Sequence, residues 1–203
     1  FSRNIDGLLT RQRSLGAVPK IIYTNSSAEY WRGDGSLLHI EPSGEKDIDL
    51  ESESRIYHFA GTQHGPGLLP QTTDNIPNGP KVRYLSNTVD YRPLLRAVLV
   101  NLDLWVSRGV VPPLSRYPRL DDGTAIRREE ALFSIADALG VLTPDPCRLW
   151  VLREMDIGPE VRSGVGRYPV LEGRKYPCFV SALDVDGNEI SGVRLPDITV
   201  PVG

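Results

Sequence analysis

The segment from Asp90 to Ser107 constrains this chain more than any other. Leu94, Leu95, Val98, Leu99, Leu102, Trp105 and Val106 recur at helical spacing. Asp90 offers a cap, Pro93 sits in the first turn and Gly109 lies just past the end. So wide an apolar stripe has to pack on something large, and a sheet is the natural partner. Two runs supply strands: Lys20-Ile21-Ile22-Tyr23-Thr24, expected to be buried in the middle of a sheet, and Arg55-Ile56-Tyr57-His58-Phe59-Ala60, stopped by Gly61. Strands alternating with helices indicate an α/β layer architecture.

The remaining elements are shorter. Asn4 to Gly16 reads as a helix with Leu8, Leu9 and Leu15 on one side, followed by the breaker Pro19. Asn25 to Trp31 reads as a polar loop. Leu37 to Glu53 reads as a hairpin turning at Pro42-Ser43-Gly44. Its Glu41, Glu45, Asp47, Asp49, Glu51 and Glu53 against Lys46 mark a solvated edge that discourages strand-to-strand association. Arg127 to Leu139 is a second helix. Phe179–Val185 and Glu189–Leu195 are paired strands joined at Asp186-Gly187, and Thr199-Val200 continues as strand. A soft boundary near Tyr117 separates residues 1–116 from an appended segment, 117–203, made of a helix and a β-hairpin.

Composition removes several function classes. The 203 residues carry a formal net charge of −3, and no basic cluster with interleaved aromatics is present, so nucleic acid is not an expected partner. No apolar stretch approaches the ~20 residues of a membrane span. The 19 glycines and 17 prolines fall short of the ~25–30% that marks a low-complexity chain. Cys147 and Cys178 have no metal-ligand spacing and form no disulfide framework. The chain opens on Phe1 and its only methionine is Met155, so it is expected to be a piece of a longer reading frame; its localisation is left open.

Three histidines are present. His58 lies within a strand, packed or facing solvent, and His39 is placed in a strand of the acidic hairpin. No metal spacing links the three, so neither a metal nor a cofactor is expected. His64 differs. It lies in Gly61-Thr62-Gln63-His64-Gly65-Pro66-Gly67, just beyond a strand, at the carboxyl edge where α/β sheets build their sites. There an imidazole can take and return a proton near pH 7, or make a single structural hydrogen bond. Glu29 occupies the same kind of place after the preceding strand, with Asp34 as its nearest competitor. A carboxylate after one strand and a histidine after the next follow the order of the last two members of a Ser…Asp/Glu…His triad. The first member is missing, because no Gly-x-Ser-x-Gly occurs and Ser26 and Ser27 share a loop with the acid.

These residues lead to a resemblance. Pro19 through Trp31, Tyr57-His58-Phe59-Ala60-Gly61-Thr62-Gln63-His64-Gly65, Asp90 through Ala97, Pro112 through Pro118 and Asp186-Gly187-Asn188-Glu189 resemble segments of a bacterial family of alpha/beta hydrolase domain proteins. The resemblance implies the C-terminal part of an α/β-hydrolase-type sheet with packed helices. It implies Glu29 as triad acid, His64 as general base, and a serine elbow with its oxyanion donors in an upstream part of the same protein. Tyr30 and Trp31, next to the acid, either wall an acyl pocket or, as is commoner for such aromatics, belong to the core, and the partner would be a small ester or acyl substrate. The expectation is thus a serine-hydrolase fragment, inactive without the upstream serine. Its competitors are a non-catalytic α/β binding domain and a self-sufficient hydrolase using Ser26 or Ser27.

Overall fold

The computed structural model describes residues 9–67, 69–73 and 82–200. Along the chain run α1 (Thr10–Ser14), β1 (Ile21–Ser26), α2 (Ser27–Arg32), β2 (Ser54–Phe59), α3 (Arg92–Arg108), β3 (Ala125–Arg127), α4 (Arg128–Leu139), β4 (Arg153–Asp156), β5 (Leu171–Lys175), β6 (Phe179–Ser181) and α5 (Pro196–Thr199). The described strands form three two-stranded sheets: β1 with β2 in parallel, β3 with β6 and β4 with β5 antiparallel. The fold is α/β, and the β1–β2 pair is as much of a parallel sheet as the described residues contain.

Both strand expectations fall on real strands, each displaced slightly. β1 runs two residues further than Thr24, and its register with β2 pairs Ile21 with Ser54 and Ser26 with Phe59. It is only half-buried over most of its length and, among the described residues, pairs with β2 alone, so the central position belongs to its neighbour. β2 buries Ile56, Tyr57, Phe59 and Ala60. Its second edge is covered in two stages: the His58 amide donates to the Arg116 carbonyl and the Ala60 amide to the Val193 carbonyl. A continuous buried apolar run is what a strand covered on both faces requires, and each such side chain contributes about 1.5–3 kcal/mol.

The N-cap of α3 is Tyr91 rather than Asp90, which acts on the first turn from one residue further back. The Asp90 carboxylate accepts from the Arg92 amide at 3.0 Å, and Gly109, at φ +69°, lets the amides of residues 109 and 110 reach the carbonyls of Trp105 and Leu104. The buried stripe is narrower than its spacing suggests. Leu94, Leu95 and Val98 pack against Tyr57, Phe59 and Tyr91, and Trp105 is buried, but Leu99 and Val106 point outward. The β1–β2 pair is too narrow to cover the whole stripe. Trp105 is flanked instead by the Lys20 ammonium and the Arg55 guanidinium, about 5 Å from its rings.

Several local expectations need correction. The described part of the first helix is only α1, residues 4–8 lying outside the described residues; Gly16 turns the chain at φ +71°. The polar loop after β1 is a helix, because Glu29 reaches back to the Ser26 amide and caps α2. The acidic hairpin is a 3₁₀ turn over Ser36–Leu38 followed by one isolated bridge, Ile40 to Asp47. Asp47 is drawn inward rather than solvated, since its carboxylate accepts from the amides of Leu120 and Asp121 at 2.9 and 3.0 Å. The turn at Asp186-Gly187 forms where expected, with the Asp184 amide donating to the Asn188 carbonyl and the Ile190 amide to the Ala182 carbonyl. The expected strand pair does not form: the two arms meet in one isolated bridge, Leu183 to Glu189, Phe179–Ser181 pairs with β3 instead, and Gly192, at φ +96°, turns the chain to run beside β2. Thr199 ends a helix rather than a strand.

Contacts cross the expected boundary at Tyr117 throughout. Tyr30 packs with Ala131 and Val180, the Cys178 thiol donates to the Tyr30 carbonyl, and the buried Arg128 guanidinium donates to the carbonyls of Trp31 and Trp150. Gly192 marks the tightest crossing. A β-carbon there would lie 2.5 Å from the His58 carbonyl oxygen and 2.7 Å from its ring, on a left-handed backbone. Gly192→Ala is therefore expected to lower stability by about 2–4 kcal/mol in urea unfolding. Gly109→Ala, equally left-handed but with nothing near its added carbon, should cost about 1 kcal/mol.

Candidate active site

Glu29 and His64 meet. The Glu29 Oε1 lies 2.6 Å from His64 Nδ1, and the two residues stand just past the carboxyl ends of the paired parallel strands β1 and β2. Each oxygen of Glu29 has its own task. Oε2 accepts from the Ser26 amide at 2.6 Å and the Ser26 hydroxyl at 2.5 Å, while Oε1 faces the imidazole and, more distantly, the Arg32 guanidinium at 3.5 Å. Burial alone would raise the Glu29 pKa, but the hydrogen bonds from Ser26 and His64 outweigh it and hold the carboxyl below its ordinary value. An ionised carboxylate only accepts, so Nδ1 carries a proton, and in the neutral imidazole the other ring nitrogen is then an acceptor. With 76% of the side chain exposed, that nitrogen faces an open side.

The loop under His64 is held by its backbone. The Tyr91 hydroxyl donates to the His64 carbonyl at 2.7 Å, the Asn87 amide nitrogen to the Gly61 carbonyl at 2.7 Å, and the Thr62 hydroxyl to the Phe59 carbonyl at 2.6 Å. Tyr91 is itself buried against Phe59 at a centroid distance of 5.5 Å. The best helix of the sequence thus contributes, through the residue preceding it, an anchor for the histidine loop.

The other candidates are placed elsewhere. Asp34 pairs with Arg32 at 3.0 Å. Tyr30 is fully buried and its hydroxyl is bonded to His39 Nε2 at 2.9 Å, so it belongs to the core and not to the wall of an acyl pocket; a helix, not a loop, turns it inward. Trp31 is half-buried and packs against the same core. The Ser26 hydroxyl is taken by Glu29, and the Ser27 hydroxyl donates to Glu189 Oε2 at 2.7 Å. A cavity of about 490 Å³ opens between α3 and β2, lined by Tyr57, Leu94, Val98, Leu114, Ile190 and Val193; neither Glu29 nor His64 reaches it. Its walls are the packed part of the α3 stripe together with residues of β2 and of segments 113–116 and 190–194. Among the described residues no three metal-ligating side chains gather around one point, and no helix is long and apolar enough to cross a membrane.

The two remaining histidines are interior groups. His39 closes the 3₁₀ turn instead of sitting in a hairpin strand, and it is fully buried between Tyr30 and Tyr117, ring centroids 5.8 and 4.5 Å away. His58, also fully buried, places its Nε2 2.9 Å from Glu189 Oε2. Glu189 is the residue that spacing could not find: an acid on the far arm of a turn is ordinarily solvent-facing. Burial works to raise its pKa, and the bonds from His58, Ser27 and the Gly61 amide reverse that and hold it ionised.

Burial, then the nearby His58 and Arg119, push the His39 imidazole down to about 3. The unfolded chain binds that proton near 6.5, so folding must release it at any pH between those two values. The His39 contribution is complete above pH 6.5 and is lost below it at about 1.4 kcal/mol per pH unit. Glu189, with its lowered value, adds to the loss only once the pH falls below about 4.5. Thermal unfolding from pH 7.5 to 5 should therefore show a falling midpoint in the wild type and a flatter line in His39→Gln. Equal slopes would contradict a buried neutral His39.

Residues 10–203 match the family profile described as alpha/beta hydrolase domain. Neither a curated protein nor a solved structure matches the chain. The profile takes in both strand ends, Glu29, His64 and the segment bearing Glu189, nearly the whole sequence. This chain belongs to the alpha/beta hydrolase domain family.

Proposed function

We propose that this chain carries the acid and the general base of a serine hydrolase acting on an ester or a similar acyl compound. The observation that supports this is the 2.6 Å bond between Glu29 Oε1 and His64 Nδ1, on segments that follow adjacent parallel strands. With Nδ1–H committed to Glu29, the bare nitrogen of His64 takes the proton of a serine hydroxyl as its oxygen attacks the acyl carbon. Glu29 stabilises the resulting imidazolium, which returns the proton to the leaving alkoxide. A water then repeats the sequence, releasing the acid and restoring the serine.

In this reading the nucleophile and the oxyanion donors come from an upstream part of the same protein. No Gly-x-Ser-x-Gly occurs in the 203 residues, and the hydroxyls of Ser26 and Ser27 are donors to carboxylates. The exposed face of His64 is the side from which that serine and the substrate would approach.

Intact-mass detection of a fluorophosphonate adduct tests this directly. The 203-residue chain should remain unlabelled, while a form extended upstream should carry one adduct that His64→Ala abolishes. An adduct on Ser26 or Ser27 of the shorter chain would remove the upstream nucleophile from the reading. No adduct on either folded protein would make it a binding domain without catalysis. In the extended form, Glu29→Gln should lower kcat for a simple ester on the order of 10⁴-fold, because the amide no longer enforces the tautomer that leaves a bare basic nitrogen.

A further inference from the structure

Glu189 lies far from Glu29 and His64 in sequence, yet a single oxygen of it is bonded to both segments that present them. Oε2 accepts from the Ser27 hydroxyl at 2.7 Å, the Gly61 amide at 2.7 Å and His58 Nε2 at 2.9 Å. Ser27 opens α2 immediately before the turn carrying Glu29, and Gly61 opens the loop carrying His64. The two segments are also bonded to each other: the Ser27 amide donates to the Thr62 carbonyl and the Thr62 amide to the Ser27 hydroxyl, both at 3.1 Å. His58 ties the same oxygen to the fully buried centre of β2. Glu189 in turn is held from behind, since the Val193 amide donates to the His58 carbonyl and the Ile190 amide to the Ala182 carbonyl.

We propose that Glu189 is a positioning residue for the Glu29–His64 pair, fixing the start of α2 and the histidine loop in one register through a shared acceptor oxygen. The proposal rests on the hydrolase reading for its catalytic meaning, not for its geometry. A short hydrogen bond between a carboxylate and an exposed ring survives only if the backbones beneath it are kept within tenths of an ångström, and an exposed loop has few packing contacts to do this. A side chain that bonds both backbone segments supplies that constraint. The required property is the acceptor oxygen; Glu189 Oε1 has no hydrogen-bond partner among the described residues.

The ring nitrogens of the three histidines, followed by ¹⁵N NMR on the folded 203-residue chain, provide the test. Wild-type His64 should show the tautomer protonated at Nδ1, opposite to the preference of free imidazole in water. Glu189→Ala should return His64 to the free preference. Glu189→Gln should restore the wild-type tautomer, its amide oxygen accepting the same three bonds and its NH₂ replacing the unpartnered oxygen. Leu132→Ala, which removes buried volume from α4, is the control: it should lower the melting temperature and leave His64 unchanged. Ser27→Ala, which breaks the bond on the α2 side alone, should shift His64 in the same direction as Glu189→Ala and serves if the latter does not fold. An unchanged His64 in Glu189→Ala, or in Ser27→Ala where that variant has to serve, overturns the positioning role while leaving the hydrolase reading intact. Absence of the Nδ1-protonated tautomer in the wild type overturns both.

Discussion

A carboxylate in a protein interior is costly unless several donors replace the water it has lost. Glu189 is 5% exposed and meets that requirement with a hydroxyl, a backbone amide and an imidazole converging on one oxygen. The donors come from the start of α2, from the loop after β2 and from β2 itself. Satisfying one buried charge therefore adds a shared acceptor to segments already joined by the Ser27–Thr62 bonds. The approach of residues 190–193 to the second edge of β2 follows from the same constraint, and so does the glycine at 192, where any β-carbon would strike His58.

Around this node the interior is unusually polar. Tyr30, His39, His58 and Tyr117 form a run of neighbouring rings, with the Tyr30 and His58 centroids 4.6 Å apart in an edge-to-face arrangement. The Glu29–His64 pair lies outside it, one strand end away, with the carboxylate sheltered and the imidazole open. The two histidine–glutamate pairs are thus alike in composition and opposite in environment. The buried pair joins segments, and the exposed pair presents its imidazole to the outside.

The amphipathic helix, the two parallel strands and the turn at Asp186-Gly187 were legible because each is encoded by local spacing: a 3.6-residue stripe, a β-branched run, a left-handed glycine. Glu29 and His64 were legible for a related reason, since both follow strands closely and an α/β sheet collects such residues at one edge. Some local readings failed because a distant partner intervened: Asp47 looked solvated until the amides of Leu120 and Asp121 claimed it. The α2 helix was missed for a local reason, the bond from the Ser26 amide to Glu29. Glu189 carries no local mark at all, because its partners lie more than a hundred residues away.

By itself the sequence determined the α/β character of the chain, the position of its best helix and the placing of Glu29 and His64 just after two neighbouring strands. Those depend on side-chain period and on order along the chain, which are one-dimensional properties. Only the tertiary structure decided which carboxylate faces which imidazole, which tyrosine is core, and which acid is buried among donors from three segments. Hydrogen-bond satisfaction in the interior is a three-dimensional condition: a group's partner is whichever donor the fold brings within about 3 Å, and no spacing in the sequence names it.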